Sequence, residues 1–137
     1  ISSPKCYING TLKQGGKAID DGQHFGLYSW QYKKLSKAYA LNREAALKSC
    51  SWGKFQIMGA NYKESGYSTI YAFVEAMCQS ERKHLNAFVN FVNSNPKLKD
   101  AAVKKNWATF ALHYNGKSYK KKKYDIQMKE AYKRHAK

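Results

Sequence analysis

A chain of 137 residues, 43% of them hydrophobic, can close one core that buries about two thirds of the surface its unfolded form exposes, and is short for two. Its apolar runs are a few residues long, far from the roughly twenty needed to span a bilayer, which argues against membrane insertion. Lys and Arg number 25 against 9 Asp and Glu, a formal charge of +16. A field of that size draws polyanions such as nucleic acid, anionic membrane surface or acidic wall polymer, although a lysine-rich surface kept for solubility has the same composition.

Residues 1 to about 27 are polar, with Gly10, Gly15, Gly16, Gly22 and Gly26 at irregular spacing, and read as loop with room for a short hairpin. The chain starts at Ile1 with neither an initiator Met nor a charged-then-apolar leader, so a fragment is expected, its upstream part removed or never included. Cys6, Cys50 and Cys78 cannot all pair with one another, which leaves the redox compartment open. Asn9-Gly10-Thr11 fits a glycosylation sequon, a signal with weight only in a secretory context.

Beyond residue 27 the pattern turns helical. Leu35, Ala38, Tyr39 and Leu41 share a face of a helix starting near Ser29, and Asn42 can cap a second over 43–49 with Glu44 in its first turn. The longest helix is expected from 68 or 69 to about 93, where Ile70, Phe73, Val74, Met77, Cys78, Leu85, Phe88, Val89 and Val92 recur at steps of three and four. Glu81 sits on that stripe, where a carboxylate must be paired, kept neutral or turned toward a polar cleft.

Asn95-Pro96 ends this helix, because proline disfavours a helical residue before it and cannot continue the ladder. A short helix over 97–104 follows. Asn106 caps another that carries Trp107, Phe110, Ala111 and Tyr114 on one side and stops at Asn115-Gly116. Lys117, Lys120, Lys121, Lys122 and Lys123 fall in a turn, and a last helix from Asp125 gathers Tyr124, Met128, Ala131, Tyr132 and His135. With no internal repeat and no regular run of strands, a mainly α fold of five to seven helices is expected in a single domain, loop-rich over 1–27 and helical over 28–137.

One stretch stands apart from the lysines around it: CSWGKFQIMGANY, residues 50–62. Ser51-Trp52-Gly53 reads as a turn or the entrance to a helix, Gly53 letting the backbone pass close to something, while Phe55, Ile57 and Met58 supply packing. Gln56 is the odd member, since its amide is expensive to bury unpaired yet suited to sugar hydroxyl and acetamido groups or to positioning a water. An exposed Trp52 offers a flat apolar face on which a sugar ring can rest. A core segment with one satisfied Gln explains the same residues.

Three blocks extend the reading: REAALKSCSWGKFQIMGANY (43–62), FVEAMCQSERKHLNAFVNFV (73–92) and NWATFALHYNGKSYKKKKYD (106–125). In this order and spacing they resemble successive segments of the phage-type N-acetylmuramidase domain, a member of the lysozyme-like superfamily found in phage endolysins and in secreted or injected bacterial wall-degrading proteins. The resemblance covers about 26–135. It implies a lysozyme-like multi-helix fold and a glycoside hydrolase that cleaves the β-1,4 bond between N-acetylmuramic acid and N-acetylglucosamine, with no cofactor. It places the action in the bacterial periplasm or cell wall, on peptidoglycan glycan strands. The segment from Gly53 to Met58 is similar to the G-L-M-Q cleft element of goose-type lysozymes and lytic transglycosylases, with Lys54 in place of the usual Leu, and Tyr114-Asn115-Gly116 matches their Y-N element. Ser51, Trp52, Gly53, Phe55, Gln56, Tyr114, Asn115 and Tyr119 are therefore the expected substrate-binding residues, Trp52 and Tyr119 as sugar platforms.

The departure lies in the acid. Glycoside hydrolysis needs a carboxylic acid to protonate the leaving oxygen, and the family's acid is a Glu at the end of a helix before the Gly/Gln segment. No Glu precedes Glu44 here, Asp20 and Asp21 lie in a Gly-rich stretch, and Glu44 falls in the R-E-A-A-L block where the acid is not expected. The expectation is that the general acid lies on an upstream segment of the same protein, or has been lost. Glu44 and Glu81 remain outside candidates, with local pairing as the competing account of both.

Two other functions fit parts of the sequence. A noncatalytic peptidoglycan-binding module needs the groove residues alone. A basic nucleic-acid-binding domain suits the charge and the 15% aromatic content, but there is no zinc-ligand spacing, no recognition-helix pattern and no dense Arg stripe. His24, His84, His113 and His135 stand far apart, so no metal site is expected. An injected toxin of this charge would suit an acidic immunity protein as partner.

Overall fold

A computed structural model describes residues 28–136 together with the strand pairs 13–14 and 17–18, and side chains from residue 31 to 136. The sequon at Asn9, the glycines of the first stretch, Asp20, Asp21, Cys6 and His24 lie outside the described residues. The short hairpin expected there is present as β1 (Lys13–Gln14) antiparallel to β2 (Lys17–Ala18). Eight α-helices follow among the described residues, so the fold is mainly α, with one helix more than the upper expectation. They fall into two compact units, one up to Phe91 and one from Val92.

In the first unit, α1 (Tyr28–Leu41) is followed at once by α2 (Arg43–Ser49). Asn42 separates them as the expected cap: it takes extended angles and its side chain accepts from the Ala45 N–H at 2.9 Å, satisfying a donor that a helix start leaves open. Where a turn or helix entrance was expected, the chain forms a hairpin, β3 (Ser51–Trp52) paired with β4 (Ile57–Met58). Two-residue strands are too short to show an alternating pattern in sequence, which is why this one is silent there. A 3₁₀ turn, Gly59–Asn61, then brings Gly59 against α2, its N–H bonded to the Cys50 carbonyl at 2.7 Å.

The expected long helix is two helices. α3 (Ile70–Gln79) starts on a Thr69 cap and ends at Ser80, whose φ −160° and ψ 154° are extended. The Ser80 hydroxyl accepts from the Lys83 N–H at 3.3 Å, so it caps α4 (Glu81–Ser94). The break rotates the inward face. Before it the buried residues are Ile70, Phe73, Ala76 and Met77; after it they are His84 and Ala87, while Cys78, Leu85 and Val89 of the expected stripe are exposed. Leu47, Cys50, Trp52 and Ile57 close the core of this unit with the α3 residues and Ala87, and Phe55 and Phe88 pack on its edge.

The second unit follows the sequence closely. Asn95 caps α5 (Pro96–Val103) by accepting from the Lys97 and Leu98 N–H groups, with Pro96 in the first turn where no donor is missed. Asn106 caps α6 (Trp107–Asn115) through the Thr109 N–H, and Gly116 ends it at φ 82°. Leu98, Ala101, Phe110, Ala111 and Tyr119 are the buried hydrophobic residues of this unit. The expected lysine turn is instead a short helix, α7 (Tyr119–Lys122), separated from α8 (Tyr124–His135) by Lys123 at φ 54°. On α8, Tyr124, Met128 and Ala131 are half-buried, whereas Tyr132 and His135 are exposed.

Candidate active-site segment

The β3–β4 hairpin presents a four-residue turn, 53–56, and its geometry follows from what lies under it. Gly53 has φ 72°, and a Cβ there would stand 2.7 Å from Met77 Sδ and 3.3 Å from His84 Cγ, so the backbone rests directly on α3 and α4. Next along, the Lys54 N–H donates to His84 Nδ1 at 3.2 Å. Phe55 stacks on Phe88, ring centroids 4.4 Å apart and planes 17° apart. Gln56 closes the turn in the left-handed region, φ 54°, its backbone N–H directed at the Gly53 carbonyl at 3.3 Å and its side-chain Nε2 donating to the same oxygen at 2.8 Å. That leaves Gln56 Oε1 enclosed and without a hydrogen-bond partner among the described residues. A non-glycine residue in a left-handed conformation with an unsatisfied amide oxygen is a costly combination, of the kind that accumulates at functional sites.

The sequence-derived residues divide. Ser51, Trp52, Gly53, Phe55 and Gln56 are brought together in one hairpin. Trp52 does not offer an open face: it is 4% exposed, and its indole N–H donates to the Leu47 carbonyl at 2.9 Å, so burial of the ring leaves no polar group unmet. Ser51 is likewise buried. In the second unit Tyr114 is half-buried and stacked on Phe110 at 5.7 Å, and burial pushes its phenol above the usual range. Asn115 is exposed at the end of α6, and Tyr119 is buried, which removes it as a sugar platform.

Both candidate carboxylates are paired with lysines, Glu44 one turn away on its own helix and Glu81 across to the hairpin turn. Glu81 is not on a buried stripe: the break at Ser80 places it in the first turn of α4, its side chain 73% exposed, with Oε2 3.0 Å from Lys54 Nζ. The hydrogen bond from Lys54 holds its carboxyl below the usual range, the opposite of what a proton donor at neutral pH needs. Glu44 Oε2 lies 2.9 Å from Lys48 Nζ one turn on, both partly exposed.

His84 is the residue the sequence reading passes over. It is 3% exposed and makes two hydrogen bonds, from the Lys54 N–H to Nδ1 and between Nε2 and the Met77 carbonyl at 2.7 Å. The available signal was Ser80-Glu81, a cap followed by an acidic first turn; a helix restarted there puts His84 on the same face as Ala87. A separate cleft of about 560 Å³ in the second unit, lined by Trp107, Asp125, Ile126, Lys129 and Tyr132 among others, contains none of the expected site residues.

The architecture is that of a lysozyme-like domain. The chain matches the family model of the N-acetylmuramidases over residues 5–136, and it belongs to that family. Its structure is similar to the crystal structure of the Burkholderia AP3 phage endolysin, 40% identical, with a TM-score of 0.73, covering 90% of this chain. This chain spans 45% of the length of that endolysin chain. No curated protein matches it.

Proposed function

We propose that this chain is the sugar-gripping part of a peptidoglycan hydrolase, cutting the β-1,4 bond between N-acetylmuramic acid and N-acetylglucosamine in bacterial cell walls. One observation carries the reading. Gln56 Oε1 is an unsatisfied acceptor on a strained turn, and a sugar hydroxyl, an acetamido N–H or an ordered water supplies the donor it lacks. Gly53 and Phe55 shape the same turn. The general acid in this reading is a Glu on a segment upstream of this chain, supported by the exposure and lysine pairing of both Glu44 and Glu81. Family membership and the likeness to a phage endolysin support the substrate class.

The test is release of reducing ends from purified peptidoglycan, by the chain alone and with an upstream Glu-bearing segment added. Activity that appears only with the added segment is the expected result. Activity from the chain alone would place the acid within it, and silence in both forms would defeat the hydrolase reading. The pairing of both candidate carboxylates favours one second reading, a noncatalytic wall-binding module: binding to insoluble peptidoglycan that Gln56→Ala weakens, with no cleavage in any form.

A further inference from the structure

Within the first unit, the turn that carries Gln56 is held from below by a side chain thirty positions away in sequence. The Met77 carbonyl can only accept, so the hydrogen on the His84 ring must sit on Nε2, and Nδ1 is left as a bare acceptor. That acceptor takes the Lys54 N–H, a backbone donor of the 53–56 turn. The Met77 carbonyl itself belongs to the last turn of α3, where helix carbonyls lack partners within the helix. One buried imidazole therefore ties the α3 end to the turn above it, while the absent Cβ of Gly53 lets the backbone lie on the same ring.

We infer that His84 is a positioning residue for substrate: its Nδ1 sets the 53–56 turn so that Gln56 is presented in its left-handed conformation. This rests on the reading that Gln56 contacts the sugar strand. It differs from a purely structural role in one respect, because only one of the two hydrogen bonds acts on the turn. The two ring nitrogens can be separated by substitution. In His84→Asn the side-chain oxygen falls near the place of Nδ1 and can still accept from Lys54, but nothing reaches Met77. In His84→Gln the amide nitrogen reaches toward Met77, but the acceptor for Lys54 is gone.

The experiment measures affinity of the full chain for insoluble peptidoglycan, the melting temperature and exchange protection of the Lys54 amide in wild type, His84→Asn, His84→Gln and Gln56→Ala. The expected result is that His84→Gln loses about tenfold in wall affinity and in Lys54 protection, while His84→Asn stays within about threefold in both even where it melts lower. Losses that follow melting temperature equally in both variants, or a His84→Gln protein that binds like wild type, would overturn the inference. If Gln56→Ala binds like wild type, the sugar-contact reading fails and the positioning role falls with it. If Gln56→Ala loses binding and His84→Gln does not, only the His84 inference fails.

Discussion

The indole N–H of Trp52 donates to the Leu47 carbonyl at 2.9 Å, so the strand that follows α2 supplies the side chain that closes its last turn. Both residues are buried, so removing the indole donor leaves this carbonyl without that bond inside the core. Trp52→Phe keeps most of the apolar contact but orphans Leu47, and should cost about 1–2 kcal/mol. Urea unfolding monitored by circular dichroism reads this directly. A loss of wall binding larger than the loss of stability would show that Trp52 touches substrate after all.

Gly59 sets a harder limit. A Cβ there would lie 2.1 Å from the Leu47 carbonyl oxygen, and a backbone atom at the end of a helix cannot step aside as a flexible side chain can. Gly59→Ala should therefore destabilise by about 3 kcal/mol, the upper part of the range for overpacked sites, and pull β4 away from Cys50. The check is a thermal melt, with weakened protection of the Gly59 amide, which bonds to the Cys50 carbonyl in the wild type. A variant that melts with the wild type refutes the close approach.

Glu81 offers a test by pH. Lys54 holds its carboxyl below its ordinary value of 4.5, so the pair's contribution is fully present above that value and is lost as pH falls through the lowered folded one. The side chains are 59% and 73% exposed, hence the contribution is small and screened by salt. Glu81→Gln should lower the melting temperature slightly at neutral pH and low salt, and the difference should vanish in strong salt or well below pH 4.5. Hydrolysis in the presence of the upstream segment should survive the substitution. Its abolition would make Glu81 the acid.

How far these features could be read in advance depends on the range of the physics behind them. Asn42 and Asn106 were legible as caps because the cap signal is contained within four residues, and the structure uses both. The break at Ser80 was hidden for the opposite reason. Apolar residues lie on both sides at helical steps, so periodicity continues through an interruption that only the capping hydroxyl reveals. Trp52 illustrates a third case: whether an indole is a sugar platform or a core residue is decided by a carbonyl five residues earlier, and nothing in the local pattern states that the two meet. For Gln56, chemistry flagged the amide, but its left-handed backbone and its unmatched oxygen are products of the hairpin.

That mismatch leads to the sharpest separation of function from stability. Gln56→Ala removes one hydrogen bond, Nε2 to the Gly53 carbonyl, worth about 1 kcal/mol, and at the same time removes an enclosed acceptor whose lack of a partner costs a similar amount. Alanine inherits the same left-handed backbone, so strain is unchanged to first order. The two terms offset, and the variant should unfold within about 1 kcal/mol of wild type in urea. Affinity for peptidoglycan should nevertheless fall about tenfold, since the oxygen that a sugar donor would satisfy has gone. A core glutamine without a ligand shows the same offset in stability but leaves binding untouched. Measured side by side on the same preparation, the two quantities decide whether the open valence of Gln56 Oε1 is a flaw in the packing or the place where the glycan strand is held.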